Sequence, residues 1–158
     1  MGPKLRRRAI QGLVSGETFT LTRTFSRQET HEFGDLTRDY NPVHYDRRWT
    51  DAKGFGDLIC HGLLVGGMIC EFGGQVGWLA SGMTFRFIKP VYVTDTVECQ
   101  IRLISLDDAG RAEAEGAFFN QHGDQVAWAS LKGRLPNARE QQILADITAE
   151  GDLTNGLA

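Results

Sequence analysis

The sequence predicts an α+β fold in which one apolar helix packs against a curved antiparallel sheet. Three observations support this prediction: a strand followed by a capped helix after residue 17, an apolar helix from about residue 62 to 72, and strand-like segments over residues 81–135. Strands and helices that are grouped along the chain, rather than alternating, are typical of the α+β class. A chain of 158 residues has the length of one domain with a substantial core.

The first strand leads directly into a helix-start signal. Residues 17–25, with the sequence ETFTLTRTF, alternate apolar with polar side chains and are rich in β-branched residues, which predicts a strand. Ser26 is followed three positions later by Glu29, which is the spacing of a capping box. A helix is therefore predicted to begin here.

The same helix is predicted to end at a proline. Phe33, Leu36 and Tyr40 recur at spacings of three and four, which predicts an apolar stripe on one helix face. Pro42 cannot continue a helix, and Asn41 before it is expected to be extended because the proline ring disfavours the helical conformation there. The helix is expected to give way to an ordered turn.

A second, more deeply buried helix is predicted after an irregular, polar segment over residues 45–60. It runs from about Gly62 to about Phe72 and has no strongly polar side chain until near its end, so most of its faces should be buried. Gly66 and Gly67 lie inside it, where each glycine costs about 1 kcal/mol relative to alanine. Such glycines indicate that a strand, a partner helix or a ligand approaches closely.

The second half of the chain predicts an antiparallel meander, with hairpin turns at residues 107–110 and 121–124. Its strand-like segments are MTFRFIKPVYV, TVECQIRLISL, RAEAEGAFFN and QVAWASLKGRL. We therefore expect one domain over residues 17–135. An N-terminal tail over residues 1–16 and a C-terminal tail over residues 136–158, in part helical, are expected to flank it.

Composition argues against several classes of function. The net charge of −3 and the pI of about 5.8 argue against general nucleic-acid binding, and the basic stretch KLRRR at residues 4–8 is predicted to be solvated. No apolar run is long enough for a signal peptide or a membrane span. Three cysteines without a CxxC motif indicate a reducing, cytoplasmic compartment and argue against a structural zinc site.

Asp39 and His44 are the candidate catalytic residues, on either side of Asn41 and Pro42. The turn can bring the imidazole back beside the carboxylate, and a histidine that titrates near neutrality suits acid–base work on one water. Asn41 can support the turn through side-chain to backbone hydrogen bonds. The alternative, an acid and a histidine that only cap a helix end, stays open on spacing alone.

Gly62 is a candidate for binding a substrate oxygen. It stands at the predicted start of the buried helix, where the first amides lack an intrahelical partner and carry partial positive charge. A glycine there allows a carbonyl or enolate oxygen to come close. His61, directly before it, is interpreted as structural, while His31 and His122 are interpreted as exposed.

The stretch DYNPVH at residues 39–44 resembles the Asp-x-Asn-Pro-x-His motif of the MaoC-like dehydratases, which include the (R)-specific enoyl-CoA hydratases. The HG pair at residues 61–62 is also similar to that family. So is FRFIKPVYVTDTV at residues 85–97, which is similar to its Phe-x-x-Pro-Val strand followed by an aspartate. The resemblance covers about residues 17–135.

This resemblance implies a hot-dog fold, with a long central helix wrapped by an antiparallel sheet, in a homodimer or a dimer of dimers. It implies that Asp39 and His44 activate one water for syn addition to a trans-2-enoyl thioester, which gives an (R)-3-hydroxyacyl thioester. The Gly62 amide is implied to hold the thioester carbonyl. The substrate arm would belong to CoA or to an acyl carrier protein, and no metal or redox cofactor is implied.

Cys70 stands where the resemblance implies a serine that supports the site, by ungapped count from Gly62. A thiol is a weaker hydrogen-bond partner than a hydroxyl, so the rate or the substrate preference could differ. Cys70 is expected to be a buried and inert core thiol, with a nucleophilic role as the alternative.

Two other functions remain as alternatives to a hydratase. A hot-dog thioesterase would use a carboxylate on the central helix, where Glu71 is the only acid. A non-catalytic module that binds acyl thioesters would not need both Asp39 and His44. The acyl chain length, the choice between CoA and carrier protein, and the physiological direction stay open.

Overall fold

A five-stranded antiparallel sheet and a central helical segment enclose the core of the protein. The computed structural model describes residues 2–152, and their side chains from residue 4 onward. The strands are β1 (Thr18–Thr24), β2 (Leu79–Phe87), β3 (Thr96–Leu106), β4 (Arg111–Asn120) and β5 (Gln125–Arg134). The helices are α1 (Gly2–Ile10), α2 (Arg27–Thr37), α3 (Arg47–Ala52), α4 (Gly62–Gly66), α5 (Met68–Val76) and α6 (Ala138–Ala149), with a 3-10 turn at Pro42–His44.

The sheet has the order β1-β3-β4-β5-β2, and every neighbouring pair of strands is antiparallel. β3, β4 and β5 form a meander as predicted, but β2, which was predicted to begin it, pairs with β5 rather than β3 and lies at one edge, while β1 lies at the other. Along β3 the side chains of Val97, Cys99, Ile101 and Leu103 are fully buried and those between them are more exposed, as expected when one sheet face covers a core. The predicted α+β layout is confirmed.

The predicted buried helix exists, but it is broken in the middle and extends further than expected. Gly67 separates α4 from α5, and the Cys70 N–H bonds the Gly67 carbonyl at 2.8 Å, so the helix tightens there. Gly66 allows a close approach, because a Cβ at this position would lie 2.9 Å from the ring of Phe85. Of the three close approaches expected at these glycines, a strand, a partner helix or a ligand, Gly66 shows the strand, since Phe85 lies in β2.

The basic stretch KLRRR at residues 4–8 is not a solvated tail, so that prediction is wrong. It lies in α1, which packs against α5 and α6 and buries Leu5 and Ala9. The Arg6 side chain is also buried; it forms an ion pair with Asp152 and donates to the carbonyls of Gly74 and Gln75 near the end of α5. Apolar residues one turn apart give α1 a face that can join the core. The domain bounds of 17–135 remain a prediction.

The helix that follows β1 ends earlier than predicted, before it reaches Pro42. α2 ends at Thr37, and Arg38 adopts a left-handed conformation with a φ of 60°. Leu36 is 83% exposed and Tyr40 lies beyond the helix, so the predicted apolar stripe is restricted to Phe33. The apolar spacing predicted a helix that is too long, because Leu36 and Tyr40 face away from the core and do not extend its buried face.

Two connecting segments complete the fold. The segment over residues 45–60, predicted to be irregular, contains the short helix α3, where the Asp46 side chain accepts a hydrogen bond from the Arg48 N–H. In the C-terminal tail the predicted helix is present as α6, which has no buried residue along its described length. Residue 1 and residues 153–158 of the predicted tails lie outside the described residues. Between residues 2 and 152, no helix has the length and apolar character needed to cross a membrane.

Candidate active site

The turn after α2 orients the carboxylate of Asp39. The side chain of Asn41 accepts a hydrogen bond from the Val43 N–H at 3.2 Å, which caps the 3-10 turn that carries His44. The backbone N–H of Asn41 donates to Asp39 Oδ1 at 3.2 Å. One carboxylate oxygen is therefore held by the turn, and the other, Oδ2, is directed towards His44.

His44 is held as a neutral base. Its ring is buried, with 7% of the residue exposed, and Nδ1 lies 2.8 Å from the carbonyl oxygen of Ile59. Because a carbonyl can only accept, Nδ1 carries the proton and Nε2 presents a lone pair. Burial lowers the pKa of His44 below its ordinary value, although the Ile59 hydrogen bond and the charge of Asp39 oppose this shift.

Asp39 and His44 are brought together as the sequence predicts. Asp39 Oδ2 lies 3.9 Å from His44 Nε2, and the Asp39 side chain is half exposed. This distance is too long for a direct hydrogen bond and short enough for one water to contact both atoms. The arrangement can therefore remove a proton from a water and return one to a nearby carbon.

His61 joins the same cluster, which the sequence interpretation did not predict. It is 2% exposed, its ring stacks on His44 with centroids 3.7 Å apart, and its Nε2 lies 3.0 Å from the Asp39 backbone carbonyl. Since that carbonyl can only accept, Nε2 carries the proton. The one sequence signal for this role was the position of His61 directly before Gly62. A residue that precedes a buried helix lies beside any ligand that the first amides of the helix bind.

Asp39, His44 and His61 are also a possible metal-ligand set, because one ligand atom from each lies within 4.8 Å of the others. His61 Nε2 donates a hydrogen bond to the Asp39 carbonyl, so His61 would have to change tautomer before Nε2 could coordinate a metal ion. In this arrangement His44 Nε2 and the Asp39 carboxylate face each other with free lone pairs, whereas His61 Nε2 is occupied as a donor. The residues suit acid–base work on a water better than they suit a metal centre.

An apolar cavity of about 570 Å³ opens beside these side chains and also contacts Gly62. A Cβ at Gly62 would lie 2.8 Å from the ring of Phe87, so a side chain there would displace the cavity wall. The other apolar and polar lining residues include Phe33, Thr37, Phe55, Ile59, Cys60, Leu63, Val65, Ile88, Lys89, Pro90, Val91, Val126 and Ala127. A cavity with these walls suits a hydrocarbon chain with its reactive end at the histidines.

Cys70 lies outside this cavity, and the expectation of a buried thiol is wrong for the single chain. The thiol is exposed beside a smaller cavity of about 200 Å³. Gly62 lines the larger cavity and Cys70 lines the smaller one, so the two residues face different directions. The buried Cys60 does line the active-site cavity, but burial raises the pKa of its thiol to about 11. Glu71 is not among the described lining residues.

The two other histidines have no part in this cluster. His31 and His122 are exposed, as predicted. The His31 ring contacts that of Tyr45, with centroids 5.1 Å apart.

The antiparallel sheet packed on a central helix defines a hot-dog fold. The acid and the neutral imidazole at the wall of its apolar cavity equip this protein for acid–base chemistry. A family model described as "MaoC like domain" matches residues 14–122. The chain belongs to the MaoC-like domain family, as its motifs indicated.

Curated relatives and a solved structure agree with this assignment. The chain is 28% identical to an (R)-specific enoyl-CoA hydratase of Aeromonas caviae, over 81% of this chain and 99% of that one. It is 30% identical to a 3-hydroxybutyryl-CoA dehydratase of Methylorubrum extorquens, over 92% and 95%. The solved structure of the (R)-hydratase from A. caviae, involved in PHA biosynthesis, superposes with a TM-score of 0.74 and 27% identity, over 80% and 99%. These comparisons place the chain among the hydro-lyases, the class that the sequence predicted.

Proposed function

We propose that this protein catalyses the reversible hydration of trans-2-enoyl thioesters to (R)-3-hydroxyacyl thioesters. The observation that carries the proposal is the facing pair of His44 Nε2 and Asp39 Oδ2, 3.9 Å apart at the wall of an apolar cavity. The names of the relatives in A. caviae and M. extorquens support the same reaction class.

In the proposed reaction one water contacts His44 and Asp39 together. As the water oxygen bonds to C3 of the substrate, one proton passes to Nε2 of His44, and the negative charge of Asp39 stabilises the imidazolium that forms. The electron pair of the C2=C3 bond moves towards the thioester carbonyl. A proton then returns to C2 from the same side of the substrate, which gives syn addition and regenerates the neutral base. The step uses no metal or redox cofactor.

Gly62 is proposed to stabilise the enolate oxygen of this intermediate. Its amide lies at the start of α4, where backbone N–H groups have no partner within the helix. Asn41 is proposed to act only through the turn, because its backbone and side chain hold Asp39 Oδ1 and Val43 rather than the cavity. Cys70 is not proposed to take part, since it is turned away from the cavity.

The acyl chain is proposed to occupy the apolar cavity, with its CoA or carrier-protein arm leading to solvent. The functional unit is proposed to be a homodimer, or a dimer of such dimers, joined through β2. This edge strand is exposed along almost its whole length and carries Leu79, Met83 and Phe87, and exposed apolar edges invite pairing. A cytoplasmic location remains a prediction from the cysteine content.

Absorbance of crotonyl-CoA at the enone band tests the proposal and separates it from the alternatives. Hydration is expected to remove the enone absorbance without releasing a thiol. Release of free thiol would instead show a thioesterase. Binding of acyl-CoA with neither change would show a non-catalytic module, and either result would refute the hydratase function.

A further inference from the structure

The backbone carbonyl of Asp39 accepts two hydrogen bonds from side chains that the proposed chemistry does not use. His61 Nε2 donates at 3.0 Å and the Tyr45 hydroxyl donates at 3.3 Å. The two donors approach from different parts of the chain, since Tyr45 follows the 3-10 turn and His61 precedes α4. Together they fix the position of the Asp39 main chain, and hence the starting point of its carboxylate.

The surroundings of His61 suit it to donate one hydrogen bond, to the Asp39 carbonyl. It is 2% exposed, and within the described part of the chain its Nδ1 has no hydrogen-bond partner. An N–H at Nδ1 would be a buried donor without an acceptor, beside the stacked ring of His44 at 3.7 Å. The tautomer with its proton on Nε2 is therefore the form that fits this site, and it is the form that donates to Asp39.

The Tyr45 hydroxyl packs against the backbone of α2 at Gly34. A Cβ on Gly34 would collide with the Tyr45 hydroxyl, so the absence of a side chain at Gly34 makes the hydroxyl position possible. The Tyr45 ring also meets both histidines edge-on, with centroids 6.2 Å from His44 and 6.1 Å from His61. Gly34, Tyr45 and His61 thus form one packed unit around the Asp39 carbonyl.

We propose that His61 and Tyr45 are positioning residues that clamp the Asp39 backbone, so that Oδ2 stays within one water of His44. The proposal rests on the hydratase function for its kinetic consequences, but its structural part can be measured independently. Oδ2 lies 3.9 Å from His44 Nε2 and 4.0 Å from His61 Nε2, so a small backbone shift would remove the shared water position. Misplacement by about 1 Å costs reactions of this kind about 10²-fold in rate.

Three variants test the clamp. His61→Phe keeps an aromatic ring against His44 and removes the donor. His61→Gln removes the ring and keeps an N–H near the position of Nε2. Tyr45→Phe removes the second donor alone. His122→Phe, in the exposed turn between β4 and β5, controls for the chemistry of the substitution itself.

We expect His61→Phe to lower kcat for crotonyl-CoA hydration by about 10²-fold while KM changes little. Tyr45→Phe should lose about tenfold, and His61→Gln should recover about tenfold of the His61→Phe loss. His122→Phe should match the wild type. If His61→Phe is as active as the wild type, or more active than His61→Gln, stacking or bulk matters rather than the hydrogen bond, and the clamp is refuted.

Imidazole ¹⁵N NMR of the wild-type protein tests the clamp without relying on catalysis. At neutral pH we expect His61 to show a protonated, slowly exchanging Nε2 and an unprotonated Nδ1. The opposite tautomer, or rapid exchange between the two, would overturn the proposal even if the enzyme is a hydratase. The expected tautomer in a protein that fails to hydrate crotonyl-CoA would support the clamp and refute only the proposed function. If His61→Phe fails to fold, Tyr45→Phe and this spectrum still decide the question.

Discussion

Replacing Asp39 with asparagine removes one charge while preserving the size of the side chain and the acceptor for the Asn41 N–H. When His44 accepts a proton from water, the new imidazolium lies 3.9 Å from the carboxylate. Two opposite charges at about 4 Å attract by about 4 kcal/mol at an effective dielectric constant of about 20. Since each 1.36 kcal/mol is tenfold in rate, the upper value is about 10³-fold. Asp39 is half exposed, so solvent screening reduces the expected loss in kcat to about 10²–10³-fold.

The assay is the hydration of crotonyl-CoA by Asp39→Asn, His44→Ala and the double variant. His44→Ala removes the base and should lose about 10²–10⁴-fold in kcat. Because the two side chains handle one water, the double variant should be little worse than the poorer single variant. Asp108→Asn, in the exposed turn after β3, is the matched control for the charge change and should leave kcat unchanged.

Binding of a non-reactive acyl-CoA separates a catalytic defect from a folding defect. Each variant should retain this binding, because neither substitution alters the Gly62 amide. Near wild-type turnover in Asp39→Asn or His44→Ala would refute the mechanism. Strictly multiplicative losses in the double variant would show that the two residues act on separate steps.

Three further predictions concern pH, assembly and stability. Burial lowers the pKa of His44 below its ordinary value of about 6.5, so its neutral form persists to lower pH; hydration should fall on acidification with a midpoint below pH 6.5, and a midpoint above that pH would contradict this. Met83→Arg on the exposed edge strand β2 should convert a dimer into monomers, as measured by light scattering, and should speed the alkylation of the neighbouring thiol of Cys70. A wild-type protein that is monomeric and fully active would exclude the dimer. Arg6→Met breaks the buried ion pair with Asp152 and should lower the free energy of unfolding, measured in urea, by about 3–5 kcal/mol. Arg139→Met, at an exposed position, should change it negligibly, and equal effects of the two substitutions would show that the ion pair is not stabilising.

Local hydrogen bonds are the part of this protein that its sequence determines most directly. The predicted capping box is present, with the Ser26 N–H donating to Glu29 at 2.8 Å and the Glu29 N–H donating to Ser26 at 3.1 Å. The turn carrying the candidate catalytic pair is equally local, because Asn41 bonds Val43, two residues away. Such bonds join near neighbours, so the order of residues alone is enough to place them. The alternation of buried and exposed side chains in the strands is local in the same sense.

Helix ends and exposure were less predictable, because periodicity indicates a face but not what covers it. Leu36 fits the apolar spacing of α2 and is nevertheless exposed, while Leu5 lies in a basic stretch and is buried. Cys70 lies on an apolar helix and still faces outward in the single chain. In each case the outcome depends on which other element reaches that side of the helix.

The tertiary structure alone decided how the candidate site is completed. His61 bonds a carbonyl 22 residues away in the chain and stacks on His44, and no spacing rule connects these positions. The strand order β1-β3-β4-β5-β2 and the docking of α1 on α5 are likewise long-range. The sequence determined the fold class, the family and the acid–imidazole pair, because these depend on patterns within short segments. The histidine donor beside that pair, and the cavity that the pair faces, depend on surfaces that meet only when the central helix packs against the sheet.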